Sequence, residues 1–95
     1  MITTQQLQLL KEGNKNAFEA LYRAYNARIY SFVLSMIGDA GVAKDITQDI
    51  FLQIWEKRLN IDLEGNFDGY LFKISQNMVY HYVRRELLLQ NYVDK

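Results

Sequence analysis

Cysteine is absent from this chain. That excludes a disulfide framework and is compatible with a reducing, cytoplasmic setting. Proline is absent as well, so no position is forced to break a helix. The longest fully apolar runs are a few residues, far short of the roughly 20 a membrane-spanning helix needs; no membrane insertion is expected. The opening segment MITTQQLQLLKEG lacks the basic start and apolar stretch of a secretion signal. Histidine occurs once, at His81, among tyrosines and arginines rather than carboxylates. Metal sites normally gather three or four ligands of suitable geometry, and no such set is visible. Asp45 and Asp49 lie one helical turn apart, as metal or acid–base carboxylates could, but solvated carboxylates on a helix face are far commoner. Glycine-rich phosphate loops and nucleophile motifs are missing. No catalytic residue, metal or cofactor is expected, and the chain reads as no enzyme.

What is present is globular: 95 residues, 49% hydrophobic and 23% charged, enough for one small domain. Eleven basic and eleven acidic residues cancel. A domain holding duplex DNA by charge alone would usually be basic. The charge is unevenly placed, however. Lys44 to Asp68 holds three basic and six acidic residues, and Gly69 onward holds four basic and two acidic. An acidic surface followed by a mildly basic one fits weak DNA binding alone and a basic protein partner for the acidic part.

The periodicity is helical throughout and predicts an all-α, three- to four-helix bundle. Helices are expected over about 3–12, 15–37, 42–58 and 67–90. Thr3 or Thr4 can cap the first and Asn14 or Asn16 the second. Phe18, Leu21, Tyr22, Tyr25, Ile29, Phe32, Val33 and Met36 form one stripe on the second helix. Gly38-Asp39-Ala40-Gly41 punctuates the chain. Val42, Ala43, Ile46, Ile50, Phe51 and Ile54 point inward on the third helix. Residues 59–66, LNIDLEGN, show no helical period and are expected to form a loop. Leu87, Leu88 and Leu89 either pack on the bundle or belong to the cut end of a longer chain.

Two faces remain once the stripes are buried. The outer side of the third helix carries Asp45, Gln48, Asp49, Gln53 and Glu56 around Leu52, with Trp55 at the edge. An apolar residue inside a polar ring has the form of an interface core and rim; a solvated face accounts for the same pattern. A basic, arginine-bearing partner would suit the carboxylates and amides. On the fourth helix, Tyr70, Lys73, Asn77, Tyr80, His81 and Arg84 share one side. Leu71, Ile74, Met78 and Tyr82 share the other, with Phe72, Val79 and Val83 beside them. Cations suit phosphates, rings suit unstacked bases and amides suit base edges. Core-edge tyrosines with surface cations are the plain alternative. The preceding Glu64-Gly65-Asn66-Phe67 adds a glycine, an amide and an aromatic ring, and a loop on a rigid scaffold could close over a flipped base.

The segments AFEALYRAYNARIYSFVLSMIGDAGVAKDITQDIFLQIWEKR and FDGYLFKISQNMVYHYVRRE, in this order and spacing, resemble region two of bacterial RNA polymerase sigma factors of the extracytoplasmic function (ECF) type. The similarity covers roughly Leu7 to Glu86. It implies a region two domain over 1–95 that docks on the clamp helices of the polymerase β′ subunit. The family's D-x-x-Q-[DE]-x-F-x-x-x-W pattern falls on Asp45, Gln48, Asp49, Phe51 and Trp55. Gln48 and Asp49 are expected at the contact, with Leu52, Gln53 and Glu56 around them, and Phe51 in the core. The resemblance further implies that a non-template base of the promoter minus-ten element flips into a pocket of the loop, about Asn60 to Phe67. Asn66, Phe67, Tyr70, Lys73, Asn77, Tyr80, His81, Arg84 and Arg85 become the DNA-binding candidates. Many members have tryptophan at the position of Tyr70 and aspartate at that of His81. The family also carries a region four domain that has no counterpart in this sequence, so the chain is expected to be an excised part of a longer sigma factor. The alternative reading is a helical interaction module bound mainly by an anti-sigma factor, with little DNA contact.

Overall fold

The computed structural model describes residues 2–93, and of Val93 only the backbone. Asp94 and Lys95, counted in the charge balance above, lie outside the described residues. Four helices follow one another: α1 (Thr4–Lys11), α2 (Lys15–Ile37), α3 (Ala40–Glu56) and α4 (Phe67–Val93). Helix α3 ends at Glu56, two residues short of the expected bound, and a single 3-10 turn, Arg58–Asn60, spans the last residue of the expected helix and the first two of the expected loop. No strand occurs among the described residues, and the fold is an all-α bundle. No helix among them is long and apolar enough to cross a membrane.

The helix ends follow from local chemistry. Thr3 and Gln6 form a reciprocal capping box at the start of α1, with bonds of 3.1 and 2.9 Å. Asn14 caps α2 by accepting from the Ala17 amide. Gly38 ends α2 in the left-handed region (φ +80°), where a side chain would be strained. Asp39 then accepts from the Val42 amide at 2.9 Å and starts α3 at Ala40, two residues earlier than expected. The glycine-containing segment thus ends one helix and caps the next within two residues, which hydrophobic periodicity alone does not reveal.

Leu21, Tyr25, Ile29 and Val33 from α2 meet Ala43, Ile50, Phe51 and Ile54 from α3 and Leu71, Ile74 and Val79 from α4. The Tyr22 and Phe51 rings pack edge-on at 4.9 Å. Two hydroxyls join this core. Thr47 donates to the Ala43 carbonyl and Ser75 to the Leu71 carbonyl, so neither is left unpaired by burial. Met36 and Val83 correct the expected stripes: they are 59% and 38% exposed. A stripe is buried only where a neighbour covers it. Met36 lies in the last turn of α2, and every residue from Val83 to Tyr92 is exposed. Leu87, Leu88 and Leu89 therefore do not pack on the bundle.

Candidate nucleic-acid and protein interface

On α3, Asp45, Gln48, Asp49, Leu52 and Glu56 are exposed and Gln53 is half-buried. At 100° per residue these six span an arc of about 140° on the side opposite the core. Leu52 is 52% exposed at its centre, while Phe51, one residue earlier, is 2% exposed. Trp55 is half-buried, tilted against Phe18 at 5.2 Å and covered by the Arg58 guanidinium at 4.4 Å. Beside it Lys15, Phe18, Leu52 and Trp55 line an apolar depression.

The two candidate faces are not separate. A cleft of about 460 Å³ opens between α3 and α4. Asp49, Leu52, Gln53 and Glu56 line its α3 wall; Met78, His81, Tyr82 and Arg85 line the α4 wall. His81 and Arg85, assigned from the sequence to the DNA stripe, thus border the docking surface as well. Asp49 and His81 share this cleft, but Asp45 is not part of it, and no three potential ligands converge on a metal position among the described residues. Gln48 faces the other way, into a shallow depression with Tyr22, Asn26, Tyr30 and Lys44.

Along α4, Lys73, Asn77, Tyr80, His81, Arg84 and Arg85 are all exposed. Tyr80 is 59% exposed and stands edge-on to the His81 ring at 5.8 Å. From Tyr70 to Arg84 the helix rises about 21 Å, the length of roughly six nucleotides stacked at 3.4 Å. Neither Lys73, Asn77 nor Tyr80 is buried against α2, the arrangement that would have removed the nucleic-acid reading.

The loop ahead of α4 is built by its own short-range bonds. Asp62 accepts from the Glu64 amide at 3.0 Å, and its carbonyl accepts from Gly65. A Cβ at Gly65 would sit 3.2 Å from an Asp62 carboxylate oxygen, so the turn is tight. Asn66 caps α4 by accepting from the Gly69 amide at 3.0 Å. One lone pair of its side-chain oxygen is thereby used, and the amide NH2 stays available to a ligand. Asn60, Ile61, Asp62, Gly65, Asn66, Phe67 and Tyr70 enclose a cavity of about 230 Å³, below the roughly 300–1,000 Å³ of drug-sized sites. Phe67 is only 6% exposed, packed on the Tyr25 and Tyr70 rings, and so contributes a wall rather than an exposed stacking ring. Tyr70 is half-buried and joins this cavity to the α4 stripe.

A polar tie that sequence reasoning missed holds the start of α4 to α2. The buried Tyr25 hydroxyl donates to Asp68, and Arg28 lies 3.9 Å from the other carboxylate oxygen. Burial first, and then the bond to Asp68, push the Tyr25 hydroxyl above its ordinary 10.0. Asp68 in the first turn of α4 also suits the helix dipole. The only signal available was an aspartate at a helix start, with nothing to indicate its partner 43 residues away.

The family described as Sigma-70 region 2 matches residues 21–87. The chain is 24% identical over 86 residues to the ECF RNA polymerase sigma factor SigW of Bacillus subtilis (strain 168), covering 90% of this chain and 46% of that protein. It is 31% identical over 81 residues to the ECF RNA polymerase sigma factor SigK of Mycobacterium sp. (strain KMS), covering 84% and 42%. The chain thus spans less than half the length of these relatives. Its fold is like that in the NMR structure of an engineered region 2 of sigmaE in complex with GTAAAA, with a TM-score of 0.81, 20% identity and 90% of each chain covered.

Proposed function

Because the chain belongs to the Sigma-70 region 2 family, with relatives among ECF sigma factors, we propose that it docks on the RNA polymerase β′ clamp helices through the outer face of α3 and captures the melted non-template strand of a promoter minus-ten element through α4 and the preceding loop. The family is one of transcription initiation factor domains without catalytic chemistry. The observation that carries the DNA half is continuity: the small loop cavity, walled by Phe67 and Tyr70, leads directly onto the exposed Lys73–Asn77–Tyr80 stripe.

The energetics are compatible with a neutral domain. Unstacking costs a few kcal/mol per base step, and each aromatic stack returns about 1–3 kcal/mol. With no net positive charge, this domain draws little on counterion release. Affinity would come from assembly with polymerase, in the cytoplasm where that enzyme works. A second reading is favoured by one feature, the apolar depression lined by Phe18, Leu52 and Trp55. An anti-sigma factor seated there would cover the polymerase-docking face.

Tyr80→Ala tests the DNA half. Losing one stacking ring is expected to weaken binding of the polymerase-bound chain to a labelled non-template oligonucleotide by about five- to 150-fold. Fluorescence anisotropy reads this directly. An affinity equal to wild type would leave Tyr80 as a solvated ring and take the stripe out of the account.

A further inference from the structure

Helix α1 lies outside residues 21–87, which carry the family match, yet it reaches the loop cavity. Leu7 and Leu10 seat its apolar side in the core. From its last turn, Lys11 Nζ donates to the Ile61 backbone carbonyl at 2.7 Å in a partly buried position. Ile61 is itself 2% exposed and lines the cavity. The residue is therefore fixed twice, by its side chain in the core and by its carbonyl on an ammonium from another helix.

The bonding around residues 57–66 makes this tie distinctive. Asn60, Ile61 and Gly65 donate to carbonyls within the segment, and Glu64 donates to Asp62. Lys57 and Arg58 bond back to α3, and Asn66 bonds forward into α4. Among the described residues, Lys11 to Ile61 is the one hydrogen bond that joins the loop to an element other than the two flanking it. Arg58 supports the same junction sterically. Its guanidinium covers Trp55, and a Cβ on Gly13 would lie 3.6 Å from Arg58 Nη2, so the turn after α1 packs closely against it.

We propose that Lys11 is a positioning residue for base capture: its ammonium holds the Ile61 carbonyl, and with it the rim of the loop cavity, in the conformation a flipped base enters. This rests on the reading of the loop given above. The physical basis is pre-organisation. A loop that binds in one of several conformations loses apparent affinity in proportion to the fraction of time it spends elsewhere. A charge-assisted hydrogen bond is among the stronger means of holding a loop otherwise tied only to its flanking helices.

The test compares the wild-type chain with Lys11→Met, which keeps the apolar stem but not the donor, and Lys11→Arg, which keeps a cationic donor. Loop exchange is read on the free chain, and the DNA probe is a single strand selected by the wild-type chain bound to polymerase core from a pool with six randomised positions, after removal of strands that core retains by itself. Amide hydrogen exchange is read at Glu64 and Gly65, and binding to an isolated β′ clamp-helix fragment serves as a control. Lys11→Met is expected to speed loop exchange by about tenfold and weaken DNA binding by about five- to tenfold. Clamp binding should be unchanged, and Lys11→Arg should restore both losses, which a general loosening of the fold would not do. Unaltered loop exchange or unaltered DNA affinity in Lys11→Met overturns the proposal, as does a Lys11→Arg chain no better than Lys11→Met. Failure of the underlying reading looks different: the wild-type chain bound to polymerase core then retains no sequence from the pool beyond those core retains by itself, and both fall together.

Discussion

Gln48→Ala combined with Asp49→Ala is expected to weaken binding to a β′ clamp-helix fragment by about 2 kcal/mol or more, roughly thirtyfold, with the fold intact. Both side chains are exposed on α3 and outside the core cluster, so their loss should change stability by under about 0.5 kcal/mol each. The two face different neighbours. Asp49 lines the cleft shared with His81 and Arg85, and Gln48 lies on the α2 side. A partner helix laid over Leu52 would meet Asp49 and Glu56 as a carboxylate rim, and its own basic residues would be paired as they lose water. The loss should appear mainly in the dissociation rate, with a smaller, salt-dependent change in association. Titration by fluorescence or calorimetry measures it. Thirtyfold weaker binding with unchanged thermal unfolding supports the docking face; equal binding of the double variant and wild type excludes it.

Phe51→Ala should have the largest effect on the fold itself. The ring is 2% exposed and meets Tyr22 edge-on at 4.9 Å, between α2 and α3. Truncating a buried phenylalanine costs about 3–5 kcal/mol through lost transfer energy and the cavity left behind. Against a total stability of roughly 5–15 kcal/mol, that is a large share, and in a domain of this size it corresponds to a fall in Tm of about 12 °C or more. Leu52→Ala, one residue along, should leave Tm almost unchanged because that side chain is half in water already. The pair separates the two roles of α3. Equal thermal shifts for the two variants would mean that the inward and outward faces have been assigned wrongly.

Much of this architecture is legible in the sequence because it rests on short-range rules. The apolar steps on α2 and α3 and the Asn14 cap depend on neighbours three or four residues apart, and so does the split between Phe51 and Leu52. Features that depend on distant partners are not legible in that way. Met36 and Val83 continue their stripes in pattern, but no helix covers them. Thr47 and Ser75 are polar residues outside the apolar stripes, yet they are buried, each bonded to the carbonyl four residues back. Asn66 reads as a base-contacting amide, while its side-chain oxygen also accepts a hydrogen bond that caps α4. Lys11 and Asp68 look like ordinary surface charges until the fold brings Ile61 and Tyr25 to them. The position of His81 and Arg85, between the two candidate faces, likewise follows from how α4 crosses α3 rather than from spacing along α4.

The most direct test of the account is site-specific photocrosslinking in a complex of this chain with polymerase core and promoter DNA. A benzophenone amino acid is placed either at position 52, on the exposed centre of α3, or at position 80, on the exposed stripe of α4. The probe at 52 is expected to crosslink to the β′ subunit, and the probe at 80 to the non-template strand within the minus-ten element. A probe at 80 that labels only protein, or one at 52 that labels DNA, would contradict the account.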